Sequence, residues 1–361
     1  MVSPRPHILN TRPYKPGGKL AASHGAPIML ASNEAPFGPS TKAIEAMQDA
    51  ASSVHIYPDP NYIALRTAIA EAKGFENIEI ILLGAGSDEL ISLLIHAYAG
   101  PGDEVLHTEH AFSMYHVYAL SHGATPVSAP EVNLTADVQS LADAVSDRTR
   151  ICFLANPNNP TGSFLPIRKL QALREALPED VILAIDGAYL DCMPDEFEKQ
   201  TQNFVCSSPN TVMIRTFSKL YGLAALRLGW GYFPSDIAQY IQRIRSPFNI
   251  NAMAVAGGIA AIKDKEFVDR ARAHVIEERE SLRILLQSLS LDAPESQGNF
   301  TLAGFNSPEK AQLALSFLKS QNILVRDVSG YGLPSYLRIS IGSSEDMSNL
   351  TRALQDFMSQ H

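Results

Sequence analysis

The sequence predicts an α/β fold: a largely parallel sheet with helices on both faces, followed by a smaller α+β unit. Three observations predict it. From residue 80 to 233, short apolar runs alternate with helical patterns, as strands buried on both faces require. Polar, chemically capable residues follow several of these runs, where an open parallel sheet gathers its ligand-binding loops. Beyond residue 299 the pattern changes to strand, helix, strand, strand, helix.

Taken in order, residues 1–30 read as an irregular arm, broken by Pro4, Pro6, Pro13, Pro16 and Gly17-Gly18. Ser40 is a candidate N-cap for a helix over 41–51. Tyr57-Pro58-Asp59-Pro60 is extended or turned, and Asn61 is placed as the cap of a helix carrying Leu65, Ala68 and Ile69. The apolar run 80–83 ends in Gly84-Ala85-Gly86-Ser87-Asp88-Glu89 and leads into an apolar helix. Such a turn reads either as a phosphate site built from N–H groups and the helix dipole or as a plain turn with Ser87 as N-cap. Glu89 stands where a dinucleotide fingerprint needs its third glycine, so a Rossmann motif is excluded.

Further strands are expected at 104–107, 125–128, 151–154, 181–185, 212–214 and 228–233, with helices at 112–121, 136–144 and 166–176. Helices over 236–244, 252–262 and 265–289 follow. The last is charged, with one apolar stripe through Val268, Val275, Leu282 and Leu286. The terminal unit has strands at 300–303, 323–326 and 336–341 and helices at 308–320 and 346–358.

Composition narrows the function classes. Of 361 residues, 45% are hydrophobic and 19% charged, the balance of a globular enzyme. The formal net charge of −9 argues against nucleic acid or an anionic membrane as partner. No run reaches the roughly 18 apolar residues of a membrane helix, and the first 18 residues hold no apolar signal core, so a cytoplasmic location is expected. Three widely spaced cysteines, Cys152, Cys192 and Cys206, suit neither a disulfide framework nor a zinc site; no metal is expected.

The chemistry concentrates in Thr216-Phe217-Ser218-Lys219 and, eight residues on, Arg227. A lysine among apolar and small residues is partly desolvated, which lowers its pKa and frees an amine to attack a carbonyl. Two hydroxyls and a fixed cation beside it suit an aldehyde cofactor bearing a phosphate, pyridoxal phosphate. Taken alone, the stretch also reads as a strand-to-turn segment with a solvated lysine. Two other strand ends weigh in: Asn156-Pro157-Asn158-Asn159-Pro160-Thr161-Gly162 and Asp186-Gly187-Ala188-Tyr189. An amide, a carboxylate, a phenol and an amine on one sheet edge are hard to read as loop formers. Arg326 and Arg338, in or beside the late strands, suit an anionic substrate.

These residues resemble the fold-type-I pyridoxal-phosphate-dependent aminotransferases and, within them, the histidinol-phosphate aminotransferases. Asn33–Pro39, Tyr57–Pro60, Gly84–Glu89, Phe112–Tyr115, Asn156–Gly162, Asp186–Tyr189, Thr216–Gly229 and Ile323–Gly342 carry the resemblance, which spans essentially the whole chain. It implies an arm over 1–30, a large cofactor-binding domain over 31–245 with a mostly parallel seven-stranded sheet, and a small α+β domain over 246–361. It implies that Lys219 binds the cofactor aldehyde, Asp186 pairs with the pyridine nitrogen, and Tyr189 and Asn159 hold the ring oxygen. The backbone at Ser87 and Asp88, with Thr216, Ser218 and Arg227, cradles the phosphate, and Phe112 stacks on the ring. Tyr57 reaches the neighbouring subunit's site, so a homodimer with shared active sites is implied. Arg338 holds the donor's carboxylate; Tyr14, Asn33 and Arg326 line the substrate end, with Arg326 favouring a phosphate. Phe112 stands where many relatives have tyrosine, and Ala35 breaks the commoner Asn-Glu-Asn-Pro form.

The activity so implied is transfer between histidinol phosphate with 2-oxoglutarate and imidazole-acetol phosphate with glutamate, in histidine biosynthesis. Its rivals are an aromatic amino acid aminotransferase, a related decarboxylase of a phosphorylated amino acid, and a regulator built on the same fold. Regulators of that kind usually carry a DNA-binding segment, for which an acidic chain and a short arm leave no expectation.

Overall fold

The computed structural model describes residues 2–9, 11 and 27–361. Its main sheet has seven strands, in the order Ile81–Gly84, Gly229–Tyr232, Thr211–Thr216, Ile182–Asp186, Thr149–Ala155, Glu104–Thr108, Thr125–Ala129. All seven match runs expected from the sequence. Neighbours pair in parallel except at Gly229–Tyr232, which is antiparallel to both of its neighbours. The reason lies in its connection. Residues 217–228 hold only a short 3-10 turn, Ala224–Leu226, and a parallel return needs a full crossover, usually a helix.

Side chains alternate between two cores, as the strand period of two demands. Leu106, Cys152, Leu154, Leu183, Ile185 and Met213 pack on one face; Val105, Ile151, Phe153, Ile182, Ala184, Val212 and Ile214 pack on the other. The strands Ile182–Asp186 and Thr211–Thr216 are buried along their whole length. Their carboxyl ends therefore open into a rigid frame, and both chemistry-bearing loops start there.

A second sheet has the order Ile28–Leu30, Ile323–Asp327, Tyr336–Ser340, Phe300–Gly304. Helices Lys265–Ser288 and Pro308–Ser320 pack on it, and Ser344–Gln360 packs on both of those helices. The expected irregular arm is corrected at both ends: Pro6–Leu9 is a helical turn and Ile28–Leu30 an edge strand. Three residues are too few to show a period. That strand exists through its partner, Ile28 lying opposite Ile323.

Two capping expectations also change. Ser40 caps Thr41–Ala51, its hydroxyl accepting from Ala43 N–H at 3.2 Å. Asn61, however, does not cap the next helix. Ile63–Lys73 starts after Tyr62, in a left-handed conformation, and Asp59 accepts from the N–H groups of Asn61 and Ile63 at 3.0 and 2.9 Å. Ser87 is likewise inside its helix, with Gly86 (φ 82°) at the cap. Helix Asp195–Ser207, to which the sequence reading assigns no element, begins after Pro194 with three acids in its first turn, a favourable charge at the positive end of the helix dipole.

Candidate active site

A cleft opens beyond the carboxyl ends of the main sheet, and residues of both sheets line it. Its floor is Asp186, the last residue of its strand. The carboxylate is buried; Oδ2 accepts from the Tyr115 hydroxyl at 2.6 Å and Oδ1 from Ala188 N–H at 3.0 Å. Burial pushes its pKa up to about 6, against the pull of those two donors and of Lys219. Phe112, just before helix Ser113–His122, lines the cleft beside it.

Lys219 enters from the loop after Thr211–Thr216. Its Nζ donates to the Ser32 carbonyl at 3.2 Å and lies 5.8 Å from the centre of the Tyr189 ring. Desolvation first, then the Arg338 cation, lower its pKa from 10.5 to about 8. The amine is thus free at mildly alkaline pH, as the sequence reading expects. Competitive acetylation of the cofactor-free protein, resolved by peptide mapping, should titrate Lys219 with a midpoint near 8. A midpoint matching the other lysines would show that the site does not desolvate it.

A cup lined by hydrogen-bond donors lies at one end. Helix Ser87–Tyr98 brings its first residues, Ser87 and Asp88, to the cleft wall, and Gly86 and Gly229 allow close approach. A Cβ on Gly86 would lie 2.4 Å from Arg227 Nη2; one on Gly229 would lie 2.4 Å from Ser87 N. Arg227, itself at φ 53°, donates to Ser218 Oγ at 3.4 Å and to Asp88 Oδ2 at 3.1 Å. Thr216 Oγ1 accepts from Ser218 N–H at 3.1 Å. Helix N-terminus, two hydroxyls and guanidinium make a donor set that fits a phosphate. Glu89 explains the missing third glycine. Its carboxylate accepts from Ala85 N–H and from Asn249 Nδ2, both at 2.6 Å, and braces the turn.

The opposite end is polar and buried. Arg338 Nη1 donates to Asn159 Oδ1, and Nη2 donates to the Ala31 carbonyl at 2.8 Å. Asn159 is thereby oriented with its amide nitrogen away from the guanidinium. Asn33, at φ 55°, donates from Nδ2 to the Tyr189 hydroxyl at 2.9 Å and accepts from Ser340 Oγ at 3.0 Å. Burial raises the Tyr189 pKa, so its phenol stays protonated. Arg326 and Arg338 sit directly opposite each other on adjacent antiparallel strands, and both line the cleft.

The structure therefore gathers Asn33, Ser87, Asp88, Phe112, Asn159, Asp186, Tyr189, Thr216, Ser218, Lys219, Arg227, Arg326 and Arg338 around one cleft. Tyr57 is not among them. It is 78% exposed and stacks on Phe248 at 4.5 Å. Tyr14 lies outside the described residues. Sequence reasoning assigns no role to Tyr115, Ser340 or Asn299, which orders Asn33 by donating to its carbonyl at 3.0 Å. It also misses the buried ionic cluster behind the site. Arg215 pairs with Asp191 and Glu198 at 2.8 and 2.7 Å, and Lys73 pairs with the same two at 3.1 and 2.7 Å. That cluster ties the segment after Tyr189 to the strand before Lys219. Its clearest sequence signal is Arg215, a charge inside the otherwise buried strand Thr211–Thr216.

With this geometry in hand, comparison with known proteins is direct. The family model for aminotransferase class I and II matches residues 26–355. A histidinol-phosphate aminotransferase of Hyphomonas neptunium is 52% identical over 99% of this chain and 97% of its own length. The one of Rhodospirillum rubrum is 45% identical over 98% and 96%. Among solved structures, histidinol-phosphate aminotransferase of Sinorhizobium meliloti in complex with pyridoxal-5'-phosphate superposes with a TM-score of 0.87, at 27% identity, over 92% of this chain and 91% of that one. An aspartate aminotransferase of Thermus thermophilus, at 21% identity and a TM-score of 0.83, shares the fold. The chain belongs to the class I and II aminotransferases, of fold type I, and within them to the histidinol-phosphate aminotransferases.

Proposed function

We propose that this chain is a pyridoxal-phosphate-dependent aminotransferase of histidine biosynthesis. It converts histidinol phosphate and 2-oxoglutarate to imidazole-acetol phosphate and glutamate. The observation that carries the reading is the opposed pair Arg326 and Arg338 in the cleft that Lys219 enters. One substrate has a phosphate and no α-carboxylate; the other has two carboxylates. A pair of guanidinium groups serves both. The names of the relatives at 52% and 45% identity support the same substrate.

The cofactor supplies an electron sink for the pair left at the substrate's Cα. In this reading the chain does the rest. Ser87 and Asp88 N–H groups, Thr216, Ser218 and Arg227 hold the phosphate, Phe112 covers the ring, and Tyr189 and Asn159 hold the ring oxygen. Asp186, ionised above about pH 6, stabilises a protonated ring nitrogen. Lys219 would hold the cofactor at its aldehyde, and its Nζ, when free, would take the proton from the substrate's Cα. Arg338 orients the α-carboxylate of glutamate, and Arg326 the phosphate or distal carboxylate. Tyr14 and Asn33 complete the substrate end. Residues 31–245 form the cofactor-binding domain of this reading and residues 246–361 the small domain that brings both arginines, to whose sheet Ile28–Leu30 adds an edge strand. The test is Arg326→Ala, argued below with Arg338→Ala.

The same reading makes the enzyme a homodimer in the cytoplasm. Val54, Ile56 and Tyr57 are 60%, 61% and 78% exposed on one turn, an apolar patch that suits a partner surface. Tyr57 then completes the phosphate cup of the neighbouring subunit. Inactive Tyr57→Phe and Lys219→Ala variants, mixed and allowed to exchange subunits, should regain part of their activity. Exchange without recovery would show that each site is built within one chain. Among the described residues no helix is long and apolar enough to cross a membrane.

A further inference from the structure

We propose that Tyr115 is a positioning residue for Asp186: its hydroxyl fixes, before the cofactor arrives, which way the carboxylate faces. The inference rests on the reading above, in which Asp186 meets the ring nitrogen.

Tyr115 is fully buried. Its ring stacks on Phe153 at 4.7 Å and 9°, and meets the edge of Phe112 at 5.7 Å and 85°. It cannot turn away without breaking both contacts. Its hydroxyl donates to Asp186 Oδ2 at 2.6 Å, while Ala188 N–H holds Oδ1 at 3.0 Å. A carboxylate held at both oxygens has one orientation. The opening turn of helix Ser113–His122 thus sets two surfaces at once: Phe112 for the ring face, and Tyr115 for the carboxylate at the cleft floor.

The phenol is a committed donor. Burial, together with the Asp186 charge, pushes its pKa well above 10, so its single proton stays on the hydroxyl and points at the carboxylate. Without that donor, Asp186 Oδ2 is a buried anionic oxygen one partner short. The group then takes a proton or turns, and either change weakens it as an acceptor for a protonated ring nitrogen. Phenylalanine keeps the stacking surface, so Tyr115→Phe isolates the hydroxyl.

The experiment compares two ligands on the apoenzyme: pyridoxal phosphate, and its 1-deaza analogue with carbon in place of the ring nitrogen. Tyr115→Phe should raise the dissociation constant of pyridoxal phosphate by about 10- to 150-fold, the loss of one bond to a charged group, and leave the analogue's within about twofold. In an Asp186→Asn background the same substitution should change neither, since a residue that acts through another has no effect once that other is gone. Equal weakening of both ligands would show a packing role only, and no weakening of either would show that the hydroxyl is idle; each overturns the inference. If the parent protein itself binds both ligands equally, Asp186 does not use the ring nitrogen, and the reading falls together with the inference. Failure of Tyr115→Phe alone, with the parent preferring pyridoxal phosphate, removes only the inference.

Discussion

Lys219→Ala should fold as the parent does and lose turnover by several orders of magnitude. The side chain contributes one hydrogen bond, to the Ser32 carbonyl, and its charge is disfavoured where it sits. Its pKa is lowered from 10.5 to about 8. The sign follows: a depressed amine pKa means that folding disfavours the proton, so below about pH 8 the parent carries a cost that rising pH relieves. Removing the amine removes that cost, and the thermal midpoint of the cofactor-free variant should match or exceed the parent's at neutral pH. Activity has no such compensation. Loss of a positioned base alone is worth about 10²–10⁴ in rate, and loss of the covalent anchor adds to it. Single-turnover measurement with glutamate reads the effect. A variant within tenfold of the parent would exclude Lys219 from the chemistry.

Arg338→Ala carries the second large effect. The guanidinium is buried, oriented by Asn159 and the Ala31 carbonyl, and lies 5.4 Å from the centre of the Phe300 ring. A bidentate contact to an α-carboxylate makes two charge-assisted bonds of about 1.5–3 kcal/mol each. Glutamate and aromatic amino acids should both lose about 10²–10⁴ in kcat/KM on that scale. Arg326→Ala should behave differently. It should lower kcat/KM for histidinol phosphate by about 10- to 150-fold and affect aromatic amino acids, which lack a second anion, far less. Small and equal losses for all substrates on Arg326→Ala would favour an aromatic aminotransferase instead.

The legible part of the fold was its periodic part. Six of the seven runs became buried strands of one sheet because strands covered on both faces must be apolar, whereas the seventh, Thr125–Ala129, is a half-exposed edge. Their carboxyl ends then gathered Asn159, Asp186, Tyr189 and Lys219 without further information. What escaped were features defined by a distant partner. Ile28–Leu30 is a strand only through Ile323–Asp327. The start of Ile63–Lys73 escaped for a local reason: Tyr62, in a left-handed conformation, holds the cap position, and the Asp59 carboxylate accepts from the N–H groups of Asn61 and Ile63. Tyr115 is unremarkable within its helix, yet 71 residues later in the chain its partner is Asp186. The Lys73, Asp191, Glu198 and Arg215 cluster draws on four separate segments, and no spacing rule brings them together. The opposed register of Arg326 and Arg338 is also a tertiary fact: both residues were visible, and their facing geometry was not.

The most direct test of the account compares amino donors on the purified, cofactor-loaded enzyme with 2-oxoglutarate as acceptor. Steady-state kcat/KM is measured for histidinol phosphate, tyrosine and phenylalanine under one set of conditions. The account predicts that histidinol phosphate exceeds both by at least about tenfold, the worth of one charge-assisted contact between its phosphate and Arg326. Tyrosine or phenylalanine matching or exceeding histidinol phosphate would contradict it.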